Sequence, residues 1–264
     1  HLPFVAPKRY WDLHDPATLP APTTVAPPDG APEWAATGWG ELRQYSDVPD
    51  AGPVDAALAR HLVHGYYAAT SYVDAQIGRL LDALDATGLA ATTIVVLWGD
   101  HGWHLGDHGM WSKHTNYEQA TRIPLIVAAP AAARGTSTGA LVESVDILPT
   151  LLELARLPPA PDRDGASFAH VLADPALPAR DHCIHVFPRG RRLGRAVRTA
   201  DARLVEWRAI DAARDDAVLE YYDLAADPHE TRNLATARPG DVARLRGLLD
   251  RHPAPRPQLT AAND

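Results

Sequence analysis

The chain has 264 residues, 46% of them hydrophobic and 22% charged, enough for one large α/β domain or for a medium and a small one with a sizeable core. Its formal net charge of -8 comes from interleaved acidic and basic residues, and no basic stripe of the kind that nucleic acid requires occurs. No apolar run reaches the length of a membrane span, and the lone cysteine, Cys183, excludes an internal disulfide while leaving the compartment open.

The sequence opens His1-Leu2-Pro3-Phe4, its single methionine is Met110, and no signal peptide is visible, so it reads as a portion or a processed piece of a longer product. Residues 1–54 are rich in proline with Trp11, Trp34 and Trp39 among the turns. They read as an ordered but irregular region with a short strand over Leu2–Ala6, because the aromatics disfavour disorder. From Val54 to Ala86 the apolar residues Leu58, Leu62, Tyr66, Ala69, Val73, Ile77, Leu80 and Leu84 recur at steps of three and four. That spacing predicts a long helix, with Asp55 as its N-terminal cap and Gly88 where a left-handed residue would end it.

Thr92–Trp98 is β-branched and apolar without alternation, the pattern of a strand buried on both faces. After a long helix it predicts a crossover unit of a parallel sheet. Ile123–Ala129 predicts a second buried strand, ended by Pro130. A helix capped by Asp146 and running to about Ala155 follows, with Pro149 in its first turn. Beyond a Pro- and Asp-rich connection at residues 158–164 the elements shorten. A helix near Ser167–Ala173 precedes strands at Cys183–Phe187, Ala196–Thr199, Arg203–Trp207 and Leu219–Tyr222, which predict an antiparallel sheet closed by a helix over Asp241–Asp250. The run RGRRLGR, Arg189–Arg195, reads as a solvated loop before a strand, with contact to an anionic substrate the minor alternative.

The chemistry concentrates in WGDHGWHLGDHGMWSKHTNYE, Trp98–Glu118. In open α/β sheets ligands bind beyond the carboxyl ends of strands, where Gly99-Asp100-His101-Gly102 is placed. Asp100 and His101 offer a hard oxygen and an imidazole nitrogen that one divalent cation could share. Two ligands do not close a site, so others must come from elsewhere. His104 and His108 are spaced for zinc on a helix, but Gly106 and Gly109 disfavour a helix there. Lys113 beside a cation suits an oxyanion such as sulfate or phosphate. His114 is equally a surface residue or a proton donor near neutral pH. Asn116 and Glu118 are candidates to hold the loop by hydrogen bonds, and Trp103 and Trp111 to support it by packing.

The stretch DHGWHLGDHGMWSKHTNYEQATRIPLIV resembles the C-terminal half of the type I sulfatase catalytic domain, within the alkaline-phosphatase-like superfamily. HLPFVAPKRYWDLHDP is similar to the corresponding segment of the iduronate-2-sulfatase-like group, SVDILPTLLELA to the helix after the second strand, and EYYDLAADPHETRNLA to the closing motif of sulfatase C-terminal subdomains. The resemblance implies the C-terminal part of an alkaline-phosphatase-like parallel-sheet sandwich over residues 1–165, followed by a small antiparallel α+β subdomain over residues 166–264. It implies calcium at Asp100 and His101 and sulfate contacts from Lys113 and His1 as catalytic residues; His114, beside Lys113 in the sequence, is a further candidate substrate-binding residue. The family nucleophile is a formylglycine made within C/S-x-P-x-R, and no such motif occurs in this sequence; the paired aspartates that complete the metal site have no visible equivalent either. The expectation is therefore a sulfuric ester hydrolase portion, inactive alone, whose partners are a sulfate ester, including sulfated glycans, and the missing N-terminal half of the catalytic domain. Export to the periplasm, the outside or a lysosome-like compartment is the family habit. A phosphodiesterase or phosphonate monoester hydrolase of the same superfamily, a non-catalytic partner chain and, more weakly, a zinc hydrolase using His104 and His108 stand as alternatives.

Overall fold

The computed structural model describes residues 1–130, 132–209 and 211–253. In chain order its elements are α1 (Lys8–Trp11), α2 (Ala56–Ala86), β1 (Val95–Trp98), β2 (His104–Leu105), β3 (Trp111–Ser112), α3 (Glu118–Thr121), β4 (Leu125–Ala128), α4 (Ile147–Leu154), α5 (Ala169–Ala173), β5 (Cys183–Arg189), β6 (Arg192–Arg198), β7 (Ala202–Ala209), β8 (Val218–Asp223) and α6 (Pro239–Leu249). The architecture is mixed α/β, and the paired strands form three antiparallel sheets. Two compact units divide the chain: the first holds His1–Pro27, Thr37–Thr93 and Trp103–His114, and the second holds Pro28–Ala36, Ile94–Gly102 and Thr115–Asp264. The last eleven residues of the expected 166–264 subdomain lie outside the described residues.

The first unit is organised by α2, 31 residues long. Asp55 caps it by accepting from the Leu58 N–H at 2.8 Å, and Gly88 ends it at φ +71°, as the sequence predicts. Leu62 and Val63 pack with Trp39, Leu42, Val48 and Trp111 in a core that the β2–β3 ribbon edges. The expected strand at Leu2–Ala6 is absent. Pro3 and Pro7 withhold two N–H groups, and the segment instead lays Phe4 and Trp11 against Gly65, where an added Cβ would lie 3.0 Å from Phe4 Cβ and 2.9 Å from the Trp11 ring. The second half of the helix is less covered: Val73 and Leu80 of the apolar stripe are exposed.

In the second unit β5-β6-β7-β8 form a four-stranded antiparallel sheet with α6 on one face, around Val197, Leu204, Tyr221, Leu245 and Leu249. The opposite face buries polar groups. Glu220 accepts from Tyr117 Oη at 2.9 Å and from Tyr222 Oη and Trp207 Nε1 at 2.5 Å each. Arg203, also buried, pairs with Glu118 and, at 2.6 Å, with Glu230. Burial raises the Glu118 carboxyl, but the Arg203 and Arg198 guanidiniums outweigh it and hold it below the usual range. RGRRLGR is no loop before a strand: Arg189 ends β5, Gly190 turns at φ +53°, and Arg192–Arg195 begin β6. Asp146 does not cap α4. Its carboxylate accepts from the N–H groups of Glu143 and Ala166, at 2.8 Å each, and pairs with Arg180, so with Glu143 it closes a capping box on the 3-10 turn Ser144–Asp146 that leads into α4.

β1 and β4 correct two further expectations. They pair antiparallel, Val95 opposite Ala128 and Trp98 opposite Leu125, so the strand after the long helix does not form its parallel partner in this chain. Nor are they buried on both faces, since Trp98 is 51% and Ile126 62% exposed. The strands have the composition of a sheet interior, but among the described residues no third strand flanks them.

Candidate active site

The turn after β1 carries Asp100 and His101. Gly99 and Gly102 are required by close approach: a Cβ at Gly102 would lie 2.0 Å from the Gln119 carbonyl oxygen, and the Gly102 N–H donates to the Ala120 carbonyl at 2.9 Å. His101 Nδ1 lies 2.9 Å from the carbonyl oxygen of Gly102. A carbonyl only accepts, so Nδ1 carries the proton and, in the neutral ring, the lone pair resides on Nε2. That nitrogen faces Asp100 Oδ2 at 3.6 Å. Two lone-pair donors facing each other at this distance are reconciled by a cation, and ligands sharing one hard cation are spaced by about 3–4 Å. The pair therefore fits one side of a divalent-cation site. Among the described residues, no group of three or more His, Cys, Asp and Glu side chains could hold a metal.

Lys113 follows β3 in the first unit, and its Nζ lies 2.8 Å from both carboxylate oxygens of Glu41. His1 Nε2 contacts the same Nζ and lies 3.9 Å from Glu41, while His114 Nε2 lies 3.8 Å from Glu41. Three of the predicted residues thus converge on one carboxylate. The Lys113 side chain is 14% exposed and its ammonium stands 5.2 Å over the Trp103 ring, which the His1 ring also meets edge-on at 5.1 Å. Trp111 is core packing, as expected, whereas Trp103 serves as a platform for the Lys113 ammonium and the His1 ring.

Glu41 was not visible as a site residue in the sequence. It lies in the irregular Pro-rich region, where no periodicity or motif distinguishes one acid from another. Its place is fixed by neighbours: Leu42 is buried, and Arg43 stacks on Trp39 and donates to the carbonyls of Gly38, Pro49 and Gly52. Asn116 and Glu118 hold the segment after Lys113 by bonds to the four-stranded sheet: Asn116 Oδ1 meets His185 Nδ1 at 2.7 Å, and Glu118 accepts from Arg198 at 3.1 Å. His104 and His108 are both buried, with ring centroids 6.4 Å apart. His104 follows an extended segment and is not on a helix, and burial, then His108, push its pKa down to about 3. Burial pushes the Cys183 thiol up to about 12, which keeps it un-ionised and unsuited to nucleophilic work.

Residues 8–157 match the family model described as Sulfatase, and residues 106–245 match N-sulphoglucosamine sulphohydrolase, C-terminal. Iduronate 2-sulfatase of Homo sapiens is 39% identical over 136 residues, which cover 49% of this chain and 25% of that protein. Among solved structures, the phosphonate monoester hydrolase of Silicibacter pomeroyi superposes with a TM-score of 0.76 at 29% identity, covering 96% of this chain and 53% of that one. A protein solved with its substrate D-glucosamine-2-N,6-O-disulfate superposes with a TM-score of 0.67 at 29% identity, over 80% of this chain and 44% of that one. The chain spans 25% to 44% of the length of the first curated relatives that it matches. With its catalytic-domain and C-terminal segments matched in order and an alkaline-phosphatase-like fold in its structural neighbours, the chain belongs to the sulfatase family.

Proposed function

We propose that this chain supplies the sulfate seat and part of the metal site of a sulfuric ester hydrolase of the iduronate-2-sulfatase-like kind. The observation that carries the reading is the convergence of Lys113, His1 and His114 on a single carboxylate, a cluster in which these side chains already face an anion. In the proposed reaction Lys113 neutralises the sulfate oxygens as negative charge builds on them, His1 faces the same group, and His114 stands beside Glu41 as a proton carrier. Asp100 and His101 would hold calcium, which supplies Lewis-acid chemistry when bound. The His101 tautomer fixed by Gly102 keeps the ligating nitrogen available in the neutral ring. The attacking formylglycine and the remaining metal ligands come, in this reading, from the N-terminal half of the catalytic domain, because no C/S-x-P-x-R motif occurs in the sequence. The substrate is a sulfate ester, with a sulfated glycan the favoured class, since one structural neighbour was solved with a glucosamine disulfate.

The chain alone is expected to show no turnover of 4-nitrophenyl sulfate, and joined to its N-terminal half it is expected to hydrolyse it in a calcium-dependent manner. Turnover by the isolated chain would contradict the division of the site. A second reading, a phosphonate monoester hydrolase, is favoured by the Silicibacter pomeroyi neighbour. Phenyl phosphonate turned over in preference to the sulfate ester by the joined protein would select it.

A further inference from the structure

The carboxylate in the seat has a consequence for which anions the seat accepts. Glu41 places a fixed negative charge against Lys113, with both oxygens 2.8 Å from the ammonium. It cannot withdraw easily, because buried Leu42 and the threefold-bonded Arg43 follow it directly in the chain. Any anion that Lys113, His1 and His114 bind sits beside this charge. The repulsion between Glu41 and the ligand is proportional to the ligand's charge, and in a partly buried site it is only weakly screened. A sulfate ester carries one negative charge. Inorganic sulfate carries two, as a phosphate monoester nearly does near neutral pH.

We propose that Glu41 is a specificity-determining residue that makes the Lys113 seat prefer monoanionic sulfate esters over dianionic sulfate and phosphate monoesters. The inference rests on the reading of that seat as the sulfate-binding site. Its benefit to a hydrolase is direct: the product gains a charge when the ester is cleaved, and Glu41 then weakens its hold. The device is discrimination by a repulsive element, set against the attraction of the Lys113 ammonium.

The test is an NMR titration of the chain joined to its N-terminal half, with methyl sulfate and with inorganic sulfate at constant ionic strength, following the ring protons of His1 and His114. Glu41→Gln keeps shape and removes the charge. It is expected to tighten methyl sulfate by about threefold and inorganic sulfate by the square of that factor, about tenfold. Glu41→Asp, which keeps the charge, is expected to retain the wild-type ratio of the two affinities, a readout that a merely structural role for Glu41 would not move. Equal gains for both anions, or weakening of both by Glu41→Gln, would overturn the role given to Glu41 while leaving the seat in place. Lys113→Ala separates the two ideas: it is expected to abolish binding of both anions, and unchanged methyl sulfate binding in that variant would overturn the seat itself.

Discussion

Individual buried side chains set the stability of the frame under the site. Arg203 is 1% exposed and neutralises Glu118 and fully buried Glu230. Arg203→Ala strands those carboxylates and is expected to cost about 3–5 kcal/mol in urea unfolding, while a loss below about 1 kcal/mol would show that the network is not a support. Two histidines make the frame acid-sensitive. Burial, then His108, lower the pKa of His104 to about 3, and burial, then Arg203, lower that of His185 to about 4. Both are depressed below the unfolded value near 6.5, so their contribution is complete above that pH and is lost as pH falls toward those values. Urea midpoints are expected to decline below pH 6.5, by up to about 1.4 kcal/mol per pH unit for each histidine. His185→Asn should flatten that decline by one histidine's share, and an unaltered slope would refute the assignment. Lys113, His1 and His114 could be named as candidates because they stand in or beside recognisable motifs. Glu41 could not, because contact with Lys113 is made across 72 residues of irregular chain, which no local pattern encodes.

The secondary elements show where local pattern suffices. Helix α2 was readable to within two residues because its stripe, cap and terminal glycine all agree, and Asp55→Ala is expected to destabilise the first unit by about 1 kcal/mol in thermal unfolding. The turn after β1 was readable as a site, but its tight fit was not, since the Gln119 and Arg122 carbonyls that crowd Gly102 belong to a later segment. Gly102→Ala would drive a Cβ to 2.0 Å from the Gln119 carbonyl oxygen, so the turn must move. The expected outcome is loss of calcium binding by the joined protein with the four-stranded sheet intact by hydrogen exchange; retained calcium affinity would dissociate that glycine from the metal pair. Strand pairing was the weakest inference. β1 and β4 have the composition of an interior parallel sheet, yet within this chain they pair with each other, antiparallel, because composition reports burial and not the identity of the neighbouring strand.

At the scale of the whole chain, the resemblance of motifs in order pointed to the family and the fold class that the comparisons show, and the C-terminal antiparallel sheet follows from short, partly alternating strands in the sequence. The division into two interleaved units was not legible, since Pro28–Ala36 joins the second unit by contacts such as Asp29 to Thr231, far apart in the sequence. Trp98 and Ile126 on the β1–β4 sheet, and Val73 and Leu80 on α2, remain exposed. Apolar surface of this kind beside unpaired strand edges favours association. The isolated chain is expected to bind an apolar dye and to sediment as larger species, and a monodisperse monomer without dye binding would count against that.

The central proposal is that this chain is a portion of a formylglycine sulfatase, with Lys113 and His1 as candidate site residues in the first unit and Asp100 and His101 in the second, and that its sequence does not contain the nucleophile. Reading the coding DNA upstream of the His1 codon tests it most directly. The account expects an uninterrupted frame that encodes paired aspartates after a strand and a C/S-x-P-x-R motif. A nearby start codon with neither feature would contradict it and leave a non-catalytic chain that keeps only the anion seat and the metal pair.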